Sequence, residues 1–220
     1  MSGLFLTAED AKQQLSRYML QNGKIRTCAF DKKCKPNKVR ILFDNMNRRV
    51  KADSVESLSY ANVSIKDNLD DFQIFADFIL SKFDVDFIVK NKLQMDKDLL
   101  GMAVPDQFSC YSKSTITFIP CELNYFLAFS RESKPLPSGV MFDKNCQKYQ
   151  AYISVGGKKK HLGLFCSAEQ ASEVYSLEKH KQALQWADAV ELINPFAAAA
   201  LRSLSPKNFA GDRILRGEKS

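Results

Sequence analysis

Residues 139–165 run Gly139-Val140-Met141-Phe142-Asp143-Lys144-Asn145-Cys146-Gln147-Lys148-Tyr149-Gln150-Ala151-Tyr152-Ile153-Ser154-Val155-Gly156-Gly157-Lys158-Lys159-Lys160-His161-Leu162-Gly163-Leu164-Phe165, and they predict a small twisted sheet whose two faces differ in chemistry. Tyr149, Ala151, Ile153 and Val155 alternate with Gln150, Tyr152 and Ser154, the two-residue period of a half-buried strand. Gly156-Gly157 can take the positive φ angles of a two-residue hairpin turn, and Lys158, Lys159, Lys160 and His161 follow at once. One face is therefore core, and the other is polar and cationic. Three lysines in a hairpin, taken alone, describe a solvated turn. Here they are expected to share the wet face with Lys144, Lys148 and Tyr152, which makes double-stranded DNA the expected partner. Such lysines neutralise phosphates, while Gln147, Lys148 and Gln150 can reach base edges.

Beyond the sheet, Ser167 with Gln170 forms a capping-box start. Ala171, Val174, Tyr175, Ala183, Leu184 and Ala187 then recur at roughly helical spacing, so a helix is expected to cover the dry face. The frame Gly139-Val140, Tyr149-Gln150-Ala151-Tyr152-Ile153, Leu162-Gly163-Leu164-Phe165 and Ala168-Glu169-Gln170-Ala171 resembles the plant ethylene-response or APETALA2-type DNA-binding domain. That resemblance implies that the sheet, not the helix, enters the major groove. Position by position it nominates Met141, Asp143, Lys148, Tyr152, Ser154, Lys159 and His161. The plant domains carry arginines or a tryptophan where this chain has Met141, Asp143, Ser154 and His161, so their base-reading code does not transfer.

The 220 residues carry 32 Lys and Arg against 25 Asp and Glu, a formal charge of +7. Residues 1–134 hold 20 basic and 17 acidic residues, and residues 135–220 hold 12 and 8. Segregation is stronger locally. Arg17 to Lys51 holds eleven basic and two acidic residues, whereas Asp53 to Asp86 holds eight acidic and two basic. The first block can approach a phosphate backbone; the second would be repelled by it, and offers a surface for a basic protein partner. The run Arg131-Glu132-Ser133-Lys134-Pro135-Leu136-Pro137-Ser138 has no apolar period and two prolines. It divides the chain into a first domain over 1–132, a linker over 133–138, the DNA-binding module over 139–190, and a short helix with a basic tail over 191–220.

Glu9-Asp10 interrupts the start before any signal-peptide core is long enough, and the apolar run Phe196 to Leu201 is far short of a bilayer span. Six cysteines at irregular spacing point to reduced thiols and a cytoplasmic setting. Cys28 with Cys34, and Cys110 with Cys121, lack the knuckle spacing of structural zinc sites, so zinc is not expected. No organic cofactor is implied. Thr7 is expected to cap a helix over Ala8 to Gln21 that stops at Asn22-Gly23. Residues 24–40 are read as a cationic loop able to face DNA. Further helices are expected over Val39 to Val50 and over Asp70 to Phe83, where Phe72, Phe75, Phe78 and Ile79 form a core stripe. Asn194-Pro195 should open a short helix through Leu204, stopped by Ser205-Pro206.

Within the first domain, Leu93-Gln94-Met95-Asp96-Lys97-Asp98-Leu99-Leu100 precedes Tyr111-Ser112-Lys113-Ser114-Thr115-Ile116-Thr117-Phe118-Ile119-Pro120-Cys121-Glu122-Leu123-Asn124. Together with Ile41 to Arg49 and Tyr60 to Ile65, these blocks resemble bacteriophage homing-endonuclease-like proteins related to the HNH class, which often end in the same sheet-type module. The resemblance implies an α+β chain: a helix-rich nuclease-like domain with a small β-hairpin, then a three-stranded antiparallel sheet on one helix, working in the cytoplasm of a bacterial host. It nominates Asp96, Asp98 and Asn124 as ligands of Mg2+, with Asp96, Lys97, Asp98 and Asn124 as the catalytic set.

Such chemistry needs a base, usually histidine, and a divalent cation. The chain has only His161 and His180, both in the second half, and Lys97 stands where the histidine would be. A protonated lysine activates water poorly and holds phosphate well. A solvated Asp-Lys-Asp turn is the plainer reading of residues 96–98. The leading expectation is a DNA binder that uses Lys144, Lys148, Gln150, Tyr152, Ser154, Lys158, Lys159, Lys160 and His161, with cleavage weak or lost. A working Mg2+-dependent nuclease or nickase is the first alternative. A protein-interaction factor acting through residues 53–86 on a polymerase or nucleoprotein is the second.

Overall fold

The computed structural model describes residues 3–19, 21–25, 37–51, 63–102, 110–128 and 135–209. The chain is α+β and divides into two compact units, Met1–Phe126 with Leu192–Pro195, and Leu127–Glu191 with Phe196–Ser220.

In the first unit, helices α1 (Ala8–Tyr18), α2 (Lys38–Lys51), α3 (Phe72–Lys82) and α4 (Val85–Lys90) begin where polar side chains satisfy free N–H groups or where apolar spacing starts. The Thr7 hydroxyl accepts the Asp10 N–H at 3.2 Å. Asp71 accepts those of Gln73 and Ile74, so α3 starts two residues later than its acidic run suggested. Asp84 caps α4 through Asp86 and Phe87. Phe75, Ile79 and Leu80 are fully buried, and the Phe83 ring meets Phe118 edge-on at 5.0 Å. The buried Gln14 amide of α1 donates to the carbonyls of Leu80 and Phe83, and its oxygen accepts the Val85 N–H. One side chain thus supplies the hydrogen bonds that the α3–α4 corner leaves open.

Two short pairs complete this unit. Strand β1 (Ser64–Ile65) runs parallel to β3 (Cys110–Tyr111), and β2 (Gln94–Asp96) runs antiparallel to β4 (Thr117–Ile119). Between and after them lie α5 (Asp98–Gly101) and α6 (Cys121–Leu127). The buried Asn194 amide donates to the Thr117 hydroxyl and the Phe118 carbonyl, tying residues 192–195 to β4.

In the second unit, β5 (Val140–Asp143), β6 (Lys148–Val155) and β7 (Lys158–Phe165) form an antiparallel sheet in that order. Helix α7 (Ala168–Val190) packs across it, with Ser167 accepting the Gln170 N–H at 3.2 Å as its cap. Helix α8 (Pro195–Ser203) and a 3-10 turn (Pro206–Phe209) follow. Val140, Ala151 and Ala171 are the buried centre, ringed by Leu136, Tyr149, Leu162, Phe165 and Ala168. The buried side of α7 is made of small residues, Ala171, Ser172, Ser176, Ala183 and Ala187. Leu184, expected in the core stripe, is exposed: Ala183 takes the inward position, and the next residue lies about 100° further round the helix.

Gly139 and the hairpin pair show where glycine is required. Gly156 and Gly157 have φ angles of 56° and 78°, the left-handed turn that joins β6 to β7. Gly139 has φ 75°, and a Cβ there would lie 2.2 Å from the Tyr175 ring and 2.8 Å from the Tyr152 carbonyl oxygen. The Gly139→Ala chain should lose about 2–4 kcal/mol of stability, the range for a strained left-handed residue that also displaces core side chains. Denaturant unfolding measures it, and an unchanged midpoint would contradict the close packing of β5 on α7.

Candidate functional site

Strand alternation and pairing define two sides of the β5–β6–β7 sheet. Val140 faces Ala151, and Phe142 faces Tyr149, on the side toward α7. Opposite them, Met141 lies beside Gln150 and Asp143 beside Lys148. Tyr152 pairs with His161, Ser154 with Lys159, and Gln150 with Leu164. The outer side therefore gathers Met141, Asp143, Lys148, Gln150, Tyr152, Ser154, Lys159, His161 and Leu164, all exposed or half-buried.

Hydrogen bonds order the middle of this face. The Gln150 amide nitrogen donates to Asp143, and the Tyr152 hydroxyl donates to the Gln150 amide oxygen at 2.5 Å. The Tyr152 and His161 rings lie 5.0 Å apart. Hydrogen bonds from the Asn145 N–H, from Cys146 and from Gln150 hold the Asp143 carboxyl below the ordinary carboxylate range. Lys144 is exposed in the β5–β6 turn, where its carbonyl accepts from Gln147.

The lysine triplet is split, which corrects the expectation that all three share the wet face. Lys160 sits opposite Ile153, and Lys158 opposite Val155, which places them on the α7 side. The Lys160 ammonium pairs with Glu178 of α7 at 2.7 Å. Only Lys159 of the three stands on the outer face. The cause is strand alternation carried through the two-residue hairpin, which sets Lys158 opposite Val155; further along, a register shift between Ala151 and Tyr152 inserts Leu162, so that both Leu162 and Phe165 face the core while His161 and Leu164 face out. A bulge of this kind reverses the in-out sequence for every residue beyond it. Gly163 within an otherwise apolar strand is the sequence signal that could have placed it. Leu164, absent from the expected contact set, reaches the outer face for the same reason.

In the first unit, residues 96–98 are not a solvated turn. Asp96 is 7% exposed and Lys97 4%. The Asp96 carboxylate accepts the Leu99 N–H at 2.8 Å, and the Lys97 ammonium is 2.5 Å from Asp98 and 5.8 Å from the centre of the Tyr111 ring. Arg49 donates to the Tyr111 hydroxyl at 3.4 Å. Asn124 donates to the side chain of Gln94, which in turn donates to the Cys121 sulfur. Each nominated ligand of Mg2+ is thus engaged with another group, and an ammonium already stands against Asp98. In this arrangement the set does not fit Mg2+, which would first have to displace Lys97. No three His, Cys, Asp or Glu side chains cluster as metal ligands among the described residues.

His180 binds the Leu204 carbonyl in the second unit, and Cys110, Cys121, Cys146 and Cys166 are free thiols. Of the acidic stretch, residues 53–62 lie outside the described residues. Beyond them, Asp67 accepts the Lys113 N–H, Asp71 and Asp84 cap helices, and Asp86 pairs with Arg17 and Lys38. Much of that acidity is spent on local structure. The DNA-facing arm expected over 24–40 also falls mostly outside the described residues. No described helix is long and apolar enough to cross a membrane. Compared with family models, with curated proteins and with solved structures, the chain matches none.

Burial, and then the Asp98 charge, raise the Asp96 carboxyl from 3.8 to about 6, against the lowering effects of the Leu99 N–H and Lys97. Between those values the folded chain holds a proton that the unfolded chain has released, so this group's contribution to stability falls as pH rises through about 6. Asp96→Asn should therefore be more stable than wild type at neutral pH, by a margin on the order of 3 kcal/mol. Denaturant unfolding of both chains should show that margin shrinking as pH is lowered toward 4. A margin independent of pH would contradict a buried, ionisable Asp96.

Proposed function

We propose that the chain binds double-stranded DNA through the outer face of the β5–β6–β7 sheet and that its first unit belongs to a nuclease-like lineage in which binding has outlived cutting. The observation that carries this reading is the two-sided sheet: one side is closed by α7, while Lys148, Gln150, Tyr152, Ser154, Lys159 and His161 stand together on the other. A twisted antiparallel sheet with polar and cationic groups on one open side can enter a major groove. Lys148 and Lys159 neutralise phosphates, Lys144 extends the cationic edge at the turn, and Gln150 and Tyr152 lie at the centre where bases are reached.

Lys159→Ala and Lys148→Ala should each weaken binding alike on all duplex sequences and reduce the salt slope by about 1. Lys160→Ala, which removes a partner of Glu178 rather than of DNA, should leave the slope unchanged. Gel shifts across a salt series on duplexes from the neighbourhood of the gene separate these outcomes. A slope that responds to Lys160 but not to Lys159 would overturn the assignment of the outer face.

A second reading, Mg2+-dependent nicking, draws on the one observation that Asp96 is held at about 6, a value suited to a base near neutral pH. The engagement of Asp96, Asp98 and Asn124 with Leu99, Lys97 and Gln94 weighs against it. Supercoiled DNA incubated with Mg2+ should be shifted and left unnicked. Nicking that disappears in Asp96→Ala would establish the enzyme instead.

A further inference from the structure

Gln150 is the side chain on the outer face whose bonding is most fully specified. A primary amide has two N–H donors and two acceptor lone pairs. Asp143, acceptor only when ionised, takes one N–H, and the Tyr152 hydroxyl fills one lone pair. Those two partners fix which end of the amide is nitrogen. One N–H and one lone pair, on adjacent atoms, are left for something outside the protein. The major-groove edge of adenine offers the complement, an acceptor at N7 beside a donor at N6. Guanine offers two acceptors, and its O6 would face the amide oxygen. An amide free to turn over could adapt to other edges; this one is held.

The neighbours of Gln150 point the same way. Directly opposite it, on either side, stand Met141 of β5 and Leu164 of β7, which are 54% and 47% exposed. Two open aliphatic side chains flanking a polar reader suit the thymine methyl group, the apolar feature of an A·T pair in the major groove. Lys148 and Lys159 lie further along the same face.

We infer that Gln150 reads an A·T base pair, with Asp143 and Tyr152 as positioning residues that hold its amide for adenine and with Met141 and Leu164 against the thymine methyl. The inference rests on the DNA-binding reading and adds the base pair and the residues that choose it.

The test is selection of duplexes from a random library by the full chain, followed by competition shifts in which single base pairs are replaced. Wild type should fix at least one A·T pair, and its replacement by G·C should cost about tenfold in affinity. Gln150→Ala should flatten preference at that pair alone. Tyr152→Phe and Asp143→Asn should relax the choice between A·T and T·A there, because a turned amide presents its donor and acceptor in the opposite order, with the salt slope and the other positions unchanged. A merely structural role for these two residues would instead weaken all positions together. Retention of every A·T preference in both Gln150→Ala and Tyr152→Phe would overturn the inference, as would a selected site with no fixed A·T pair. Failure of wild type to shift any duplex would overturn the DNA-binding reading itself, a result distinct from either.

Discussion

A three-stranded sheet cannot keep both faces in water and remain folded, so the second unit depends on α7 closing one of them. The helix achieves this with small residues. Ala171, Ser172 and Ser176 let its backbone come near the sheet, where Val140, Ala151 and Ile153 supply the apolar surface. The close approach has a cost at Gly139, where only hydrogen fits between Tyr175 and the Tyr152 carbonyl. Gly139 also accepts the Tyr152 N–H at 2.8 Å, so the contact that seats the helix sets the strand bearing Tyr152 and Gln150. Order on the open face is inherited from packing on the closed one.

The first unit shows the converse situation, polar groups drawn inward. The ammonium of Lys97 is compensated by Asp98 and by the face of the Tyr111 ring, and Asp96 by a backbone N–H. Removing Asp98 would take its carboxylate from the buried Lys97 ammonium. Such a cluster holds β2, α5 and β3 in register. The same engagement keeps its carboxylates from turning toward an external cation.

Much of the architecture could be read in advance because it is local. Thr7 and Ser167 cap the helices that follow them, the alternation from Tyr149 to Val155 appears as β6, and the Phe72 stripe is core. What escaped depends on partners distant in sequence or on a single inserted residue. Six residues are too few to show a helical period, so α4 left no pattern. Residues 96–98 look like a hydrophilic turn until β2 pairs with β4, whose residues lie well downstream. For the candidate site, membership of Lys148, Gln150, Tyr152, Ser154, Lys159 and His161 on one side followed from parity. The sides of Lys158 and Lys160 were open to the same count through the two-residue hairpin, but that of Leu164 was not, because parity counts fail across a bulge. Gly163 was visible, but a lone glycine in a strand does not say on which side the extra residue falls.

That extra residue has an evolutionary corollary. Excision of Leu162 alone would leave β7 in simple alternation, with His161 still opposite Tyr152 and Lys159 still opposite Ser154. The lysine-bearing half would keep its sides, and the sheet would lose one side chain from its core instead. A lineage carrying such a hairpin can change strand length at this point without disturbing the ammonium group that faces outward.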